Sequence, residues 1–292
     1  MESITDQPPL IVVAGQTASG KSSMALDLAR HFDIEIIAAD ARSVYKGMDI
    51  GTAKPTTKER HTVPHHLLDI VRPGEIFTVA DFKRLAQAKI QEIAGRGKLP
   101  VMVGGSGLYI YAVVYDFAFR GPPDHAERRR LERLSVEQLQ SLVQARGLPM
   151  PANTKNPRHL IGVLETGKVA KGQNSLRPNT LLLGKEIDTD KLVQNIHDRT
   201  FAMIEQGLEQ EVRQLATQYG WDVEALSQTI GYEEFRPYFE GGDTLANVIQ
   251  NIEVRTRRLA KRQKTWFRRN KDMHWISKPE EAVDLVTTFL NK

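Results

Sequence analysis

The chain has 292 residues, 40% of them apolar and 26% charged, enough for one large or two ordinary globular domains. It has no cysteine, which excludes disulfides, thiolate zinc sites and cysteine nucleophiles and fits a reducing cytoplasm. The net charge is only +4, yet residues 254–271 hold nine Lys/Arg and no acid, leaving the remainder net negative and pointing to a polyanionic partner. No apolar stretch approaches the length that spans a bilayer, and Met1–Asp6 is acidic without a leader pattern, so no membrane partner is expected.

The apolar run Leu10–Val13 reads as a buried parallel strand. It runs into Gly15-Gln-Thr-Ala-Ser-Gly-Lys-Ser22, which is G-x-x-x-x-G-K-S/T with a strand before it and a helical pattern, 22–32, after it. The glycines let successive backbone N–H groups turn toward an anion, and the helix N-terminus adds its own unpaired N–H groups. Lys21 adds a point charge, and the Ser22 hydroxyl is a ligand for Mg²⁺. The loop therefore says polyphosphate, without saying which. A second buried strand covers Glu35–Ala39 and ends at Asp40. Residues 41–77 are rich in Gly and Pro, and a connection that long in an α/β domain is usually functional. Thr78 and Asp81 start a helix that runs to about Ala94, followed by a strand at Leu99–Val103 and a helical segment at Leu108–Val114 after Gly104-Gly-Ser-Gly107. This alternation predicts a parallel sheet flanked by helices, as in P-loop nucleotide-binding proteins.

The alternation stops at 117–178, where helices are expected over Pro123–Leu134, after Ser135, and after Asn156-Pro157. We read this block as a small all-helical insertion, dividing the core into 8–116 and 179–292. The sheet resumes with a strand at Asn179–Ile187. A helix follows from about Asp190, broken near Gly207, then interrupted helical turns over Ala225–Phe239. A long basic helix spans 244–269, with Val248, Ile252, Leu259 and Trp266 as its expected packing stripe. A short strand at His274–Ile276 and a helix at Pro279–Leu290 close the chain.

In open α/β sheets ligands bind beyond the carboxyl ends of the strands. The phosphate loop, Asp40 and Ser106 all fall there. Asp40 is a metal ligand, a general base or a turn cap; Ser106 contacts substrate or suits its turn. His61, His65, His66 and Asp69 have the wrong spacing for a helical metal pair and read as structural or substrate-contacting residues. Trp266 and Phe267 among the cations of 254–271 suit a surface that holds phosphates and stacks bases.

These segments together resemble the tRNA dimethylallyltransferases, also called tRNA isopentenyltransferases. Gly15–Ser22 is similar to the family's G-P-T-A-S-G-K-S/T, and Asp40–Pro55 to its D-S-x-Q-x-Y-x-x-M-D-I-G-T-A-K-P. Pro64–Asp69, Gly104–Tyr109, Ile230-Gly-Tyr232 and Ala260-Lys-Arg-Gln-x-Thr-Trp-Phe-Arg268 match in order and spacing, so the likeness spans residues 10–270. It implies transfer of a dimethylallyl group from its pyrophosphate to the exocyclic N6 amine of the adenosine 3′-adjacent to a tRNA anticodon. Asp40, Thr17 and Arg199 would be catalytic, with Asp40 as general base. Gly15, Thr17, Ala18, Ser19, Gly20, Lys21 and Ser22 would hold the pyrophosphate, with Mg²⁺ on Ser22. The anticodon stem-loop would meet Asp40, Ala41, Arg42, Ser43, Ser106, Arg128, Arg158, Gly231, Tyr232, Lys261, Arg262, Gln263, Trp266 and Arg268. A cytoplasmic monomer is implied. The chain departs from the family pattern at Gln16, Ala41, Ser43, Gly162 and Asn195.

Three other readings fit parts of the pattern. They are prenyl transfer to free adenine nucleotide, a P-loop small-molecule kinase, and an RNA-binding protein with a degenerate site. The basic helix and the insertion argue against the first.

Overall fold

The computed structural model describes residues 7–117, 125–167 and 175–291. Its contacts divide the chain into two compact units, one made of 1–114 and 176–292, the other of Tyr115–Ser175. Among the described residues of the larger unit, six strands form one parallel sheet. They are β1 (Leu10–Gly15), β2 (Ile34–Ala38), β3 (His65–His66), β4 (Leu99–Gly104), β5 (Thr180–Lys185) and β6 (Met273–Ile276), in the order β3-β2-β4-β1-β5-β6. Every residue of β1 and β4 is buried, which is why these segments are apolar without alternation. On one face Ile11, Val13, Val101, Val103 and Leu183 pack against Met24 and Leu28 of α1 (Lys21–Leu28). Ala282 and Val286 of α13 (Pro279–Leu290) complete that layer. Each such side chain contributes roughly 1.5–3 kcal/mol by leaving water. The β4 strand ends at Gly104, where an added Cβ would lie 2.0 Å from the Ala39 carbonyl oxygen; only glycine lets the ends of β2 and β4 approach so closely.

The 41–77 connection is more ordered than its composition predicts. It contains α2 (Thr57–Thr62), started by a Thr56/Glu59 capping box, and β3, which pairs with the edge of β2 through Ile36 and Ile37. A two-residue strand carries no periodicity of its own, and its partner supplies the signal. The segment folds around Lys54, whose ammonium donates to the Tyr45 carbonyl (2.6 Å), Asp49 (2.7 Å) and Asp69 (2.5 Å). Two of the three histidines are held in the same way, while His61 is exposed: His66 Nε2 meets Glu35 at 2.6 Å, and a ring nitrogen of His65 meets the Val63 carbonyl at 2.7 Å.

The helices α3 (Val79–Gly95) and α4 (Gly107–Val114) flank β4. After β5 come α8 (Thr189–Glu205) and α9 (Leu208–Tyr219), separated at Gly207, then short turns α10 (Glu224–Ser227) and α11 (Phe235–Phe239). The long helix α12 (Leu245–Arg268), capped by Thr244, buries Val248, Ile252, Ala260 and Phe267. The expected stripe is therefore right at 248 and 252 and shifts by one residue beyond. Trp266 stays 41% exposed because the edge of its ring lies over Gly107 instead of entering the core.

The smaller unit holds α5 (His125–Glu132), α6 (Val136–Ala145) and α7 (Pro157–Thr166). Pro123, the start that the sequence predicts for the first of these helices, lies outside the described residues. Ser135 and Gln138 form a capping box, and Asn156 caps α7 with Pro157 in its first turn. Leu131, Leu139, Val143, Leu160 and Val163 form a core of their own. Among the described residues no helix is long and apolar enough to cross a membrane.

Candidate functional site

The site lies at the carboxyl ends of β1, β2 and β4, where three loops meet α8 and α12. The first loop, Gly15–Ser22, turns through left-handed Ala18 (φ 59°) and Gly20 (φ 86°). Gly20 caps α1 and has no side chain to occupy the N–H groups of its first turn, so these remain available to an anion. The loop is tethered from outside. Asn195 of α8 donates to the Ala18 carbonyl (2.9 Å), and Arg199 donates to Thr17 Oγ1 (3.2 Å). From α12, Gln263 Oε1 accepts the Thr17 N–H (2.7 Å), and the Ala260 carbonyl accepts from Gln16 (3.2 Å). Two residues that depart from the family pattern, Gln16 and Asn195, thus both fasten the loop.

The second loop carries Asp40. Its Oδ1 accepts the backbone N–H groups of Arg42 (2.8 Å) and Ser43 (3.3 Å), which is the turn-capping role among its three readings. No hydrogen bond among the described residues engages Oδ2, and Asp40 lines the cavity beside it. The third loop follows β4. Ser106 Oγ accepts the Ala41 N–H at 3.0 Å, so Ser106 sets the Asp40 turn.

Two cavities open from these loops. One of about 330 Å³ is lined by Thr17, Lys21, Ser22, Ser43, Asn195 and Arg199, with an apolar wall of Ile36, Ala38, Leu68 and Val103. The other, about 730 Å³, is lined by Ala41, Arg42, Ser106, Gly231, Arg258, Arg262 and Trp266. They share Thr17, Asp40, Thr52, Gly105, Arg199 and Gln263. One chamber is cationic and small, the other broad and edged by arginines and an exposed aromatic ring, and Asp40 stands where they join.

The electrostatics follow from burial. Lys21 is brought down from 10.5 to about 8 by desolvation and then by the Arg199 charge, with Asp40 opposing both. Desolvation also lowers Arg199, again against Asp40. A pair of like charges facing one cavity is a site for a multivalent anion. Lys21 meanwhile donates to the Gln16 carbonyl at 2.5 Å.

Several residues expected at the RNA surface are placed otherwise. Tyr232 is fully buried and its hydroxyl donates to Glu211 (2.7 Å), so its ring is core. Gly231 does line the broad cavity, with its N–H donating to Glu234 (2.8 Å). Ser43 is buried, and its hydroxyl donates to the Asp40 carbonyl at 3.3 Å. The Gln263 amide is spent on backbone, and Arg268 pairs with Glu186 while stacking over Trp275 at 4.1 Å. Lys261 is exposed outside both cavities. In the smaller unit, Arg128 is engaged by Glu132 (3.1 Å) and Glu165 (3.2 Å), whereas Arg158 is exposed. Sequence reasoning missed Glu211, which accepts the N–H groups of Asp49 (3.0 Å), Ile50 (2.8 Å) and Gly51 (3.1 Å) and thereby holds the loop that bears Thr52. One acid on an amphipathic helix gives no signal of that role.

The Ser22 hydroxyl is a hard oxygen donor of the kind a magnesium ion takes. Ser22 presents an exposed hydroxyl on the first turn of α1, in the same cavity as Asp40. Mg²⁺ commonly takes one or two protein oxygens and completes its shell with phosphate and water.

Comparison with known proteins bears on this arrangement. The family model for IPP transferase matches residues 43–270. A tRNA dimethylallyltransferase of Anoxybacillus flavithermus is 40% identical, over 94% of this chain and 92% of the relative. That of Bacillus subtilis is 37% identical over 92% and 90%. The solved tRNA isopentenylpyrophosphate transferase of Bacillus halodurans superposes with TM-score 0.76 at 36% identity, covering 97% of each chain. A eukaryotic dimethylallyltransferase solved acting on tRNA superposes with TM-score 0.83 at 26% identity, over 97% of this chain and 80% of its own.

Proposed function

The chain belongs to the IPP transferase family of tRNA dimethylallyltransferases, and on that premise we propose that it moves a dimethylallyl group from dimethylallyl pyrophosphate to the N6 amine of the adenosine 3′-adjacent to a tRNA anticodon. The observation that carries this reading is Asp40 at the junction of a small cationic chamber and a broad arginine-edged one. The small chamber suits a pyrophosphate with a short hydrocarbon tail against Ile36, Ala38, Leu68 and Val103. The broad chamber suits a base drawn out of a single-stranded loop, whose plane Trp266 can stack and whose phosphates the α12 arginines can pair.

In the reaction the C–O bond to pyrophosphate breaks as a bond forms between the allylic carbon and N6. Lys21, Arg199 and the Thr17 hydroxyl take up the charge that grows on the leaving oxygens. Asp40 Oδ2 accepts the proton that N6 loses, which matters because the amine's lone pair is delocalised into the adenine ring. Mg²⁺, held by Ser22, would supply further charge neutralisation on the pyrophosphate. The enzyme acts as a cytoplasmic monomer in this reading.

The test is incubation with bulk tRNA and labelled dimethylallyl pyrophosphate, followed by nucleoside mass spectrometry. Wild type should form N6-dimethylallyl adenosine, and Asp40→Asn should lose roughly 10²–10⁴-fold in rate while binding the anticodon stem-loop as before. Label entering free AMP but not tRNA would refute the tRNA assignment, and a fully active Asp40→Asn would refute the base.

A further inference from the structure

We infer that Gln263 is a positioning residue of the donor site, joining the basic helix to the phosphate loop, and not a reader of RNA. The inference rests on the reading of Gly15–Ser22 as a pyrophosphate cradle. Gln263 lies on α12 between Arg262 and Lys264, whose neighbourhood is exposed and cationic. Its own side chain turns inward. Oε1 accepts the Thr17 N–H at 2.7 Å and Nε2 donates to the Gly105 carbonyl at 3.0 Å. Those two partners belong to the loops after β1 and β4. A Cβ on Gly105 would come within 2.4 Å of Gln263 Nε2, so the amide is seated directly on that backbone.

Both bonds need an amide. A carboxylate cannot donate to Gly105, and a lysine or arginine cannot accept from Thr17. The consequence for the donor site runs through Thr17. Its backbone is fixed by Gln263 and its hydroxyl by Arg199 at 3.2 Å, so the amide also sets the groups that face the leaving oxygens. The Gly105 carbonyl it holds is next to Ser106, which in turn fixes the N–H of Ala41. One side chain thus registers the donor loop against the acceptor loop, and a small misplacement there is expensive for transfer.

Gln263→Met keeps the length and bulk of the side chain but removes both hydrogen bonds. Its dissociation constant for inorganic pyrophosphate with Mg²⁺ should rise about tenfold, the loss expected from about 1.4 kcal/mol of hydrogen bonding. KM for dimethylallyl pyrophosphate should rise with it. The affinity for the anticodon stem-loop and KM for tRNA should stay within about twofold of wild type. Unchanged pyrophosphate affinity, or a loss confined to RNA, would overturn the inference. If Gln263→Met does not fold, Gln263→Asn keeps both functional groups one methylene short and should show the same donor-specific loss. Wild-type protein that binds no pyrophosphate would sink the cradle reading itself, which separates the two failures.

Discussion

Removing the Lys21 charge should change how stability depends on pH, by an amount the structure sets. Folding brings this ammonium from 10.5 to about 8, so its charge is a liability of the native state below pH 8 and is relieved as the proton leaves. The unfolded chain keeps that proton up to its ordinary value. It therefore binds more protons than the native state between the two pKa values, and wild-type stability rises with pH across that window. Integrated from about pH 7 to about pH 9.5, the gain is about 2 kcal/mol. Lys21→Met lacks the term. The difference in unfolding free energy between variant and wild type should therefore shift by about 2 kcal/mol in favour of wild type over that range, other titrations cancelling. Urea unfolding followed by tryptophan fluorescence is suitable, since Trp221, Trp266 and Trp275 all lie in the larger unit. Wild type and variant with parallel pH profiles would refute the argument. The same proton matters for donor binding: pyrophosphate should stabilise wild type less as pH rises through about 8, because the ammonium that holds it is lost.

Glu211→Ala strips one acceptor from three backbone N–H groups and the Tyr232 hydroxyl, and should lower unfolding free energy by about 3 kcal/mol, measured by urea denaturation. Trp266→Ala should weaken binding of a single-stranded anticodon loop by about 1–3 kcal/mol in fluorescence anisotropy and leave pyrophosphate affinity unchanged. Arg258→Ala and Arg262→Ala should each flatten the salt dependence of RNA binding by about 0.7 in the log–log slope, since each removes one phosphate partner on a single strand.

Much of the sheet is legible because buried parallel strands write themselves as unbroken apolar runs. Leu10–Gly15 and Leu99–Gly104 are such runs, and the phosphate loop follows from the first. What stays hidden depends on contacts between distant segments. Lys54 is a lysine with a buried side chain, and only the converging Asp49, Asp69 and Tyr45 carbonyl make that tolerable. Tyr232 is core because Gly51 leaves room for its ring: a Cβ there would lie 2.4 Å from it. On α12 the stripe goes astray after Ile252, where the helix packs on the glycine-rich turn after β4 and Trp266 is left at the surface. Gln263, set among cations, reads as one more polar surface residue, since nothing local records that its amide faces two backbone groups.

The tethers on Thr17 also bear on how the chain is made. Thr17 and Gln263 are 246 residues apart, and Thr17 and Arg199 are 182 apart. At about 5–20 residues per second of synthesis, the ribosome needs about 12–50 s to reach the helix that fastens a motif it made at the outset. For the first part of that interval β1 has β4 on one side and nothing from β5, which is encoded after the inserted unit. A nascent or prematurely terminated chain thus carries the full phosphate-loop motif without the contacts that order it. On the proposed reading of the loop, donor binding is consequently a property of the finished polypeptide, acquired only when its final fifth has emerged and docked.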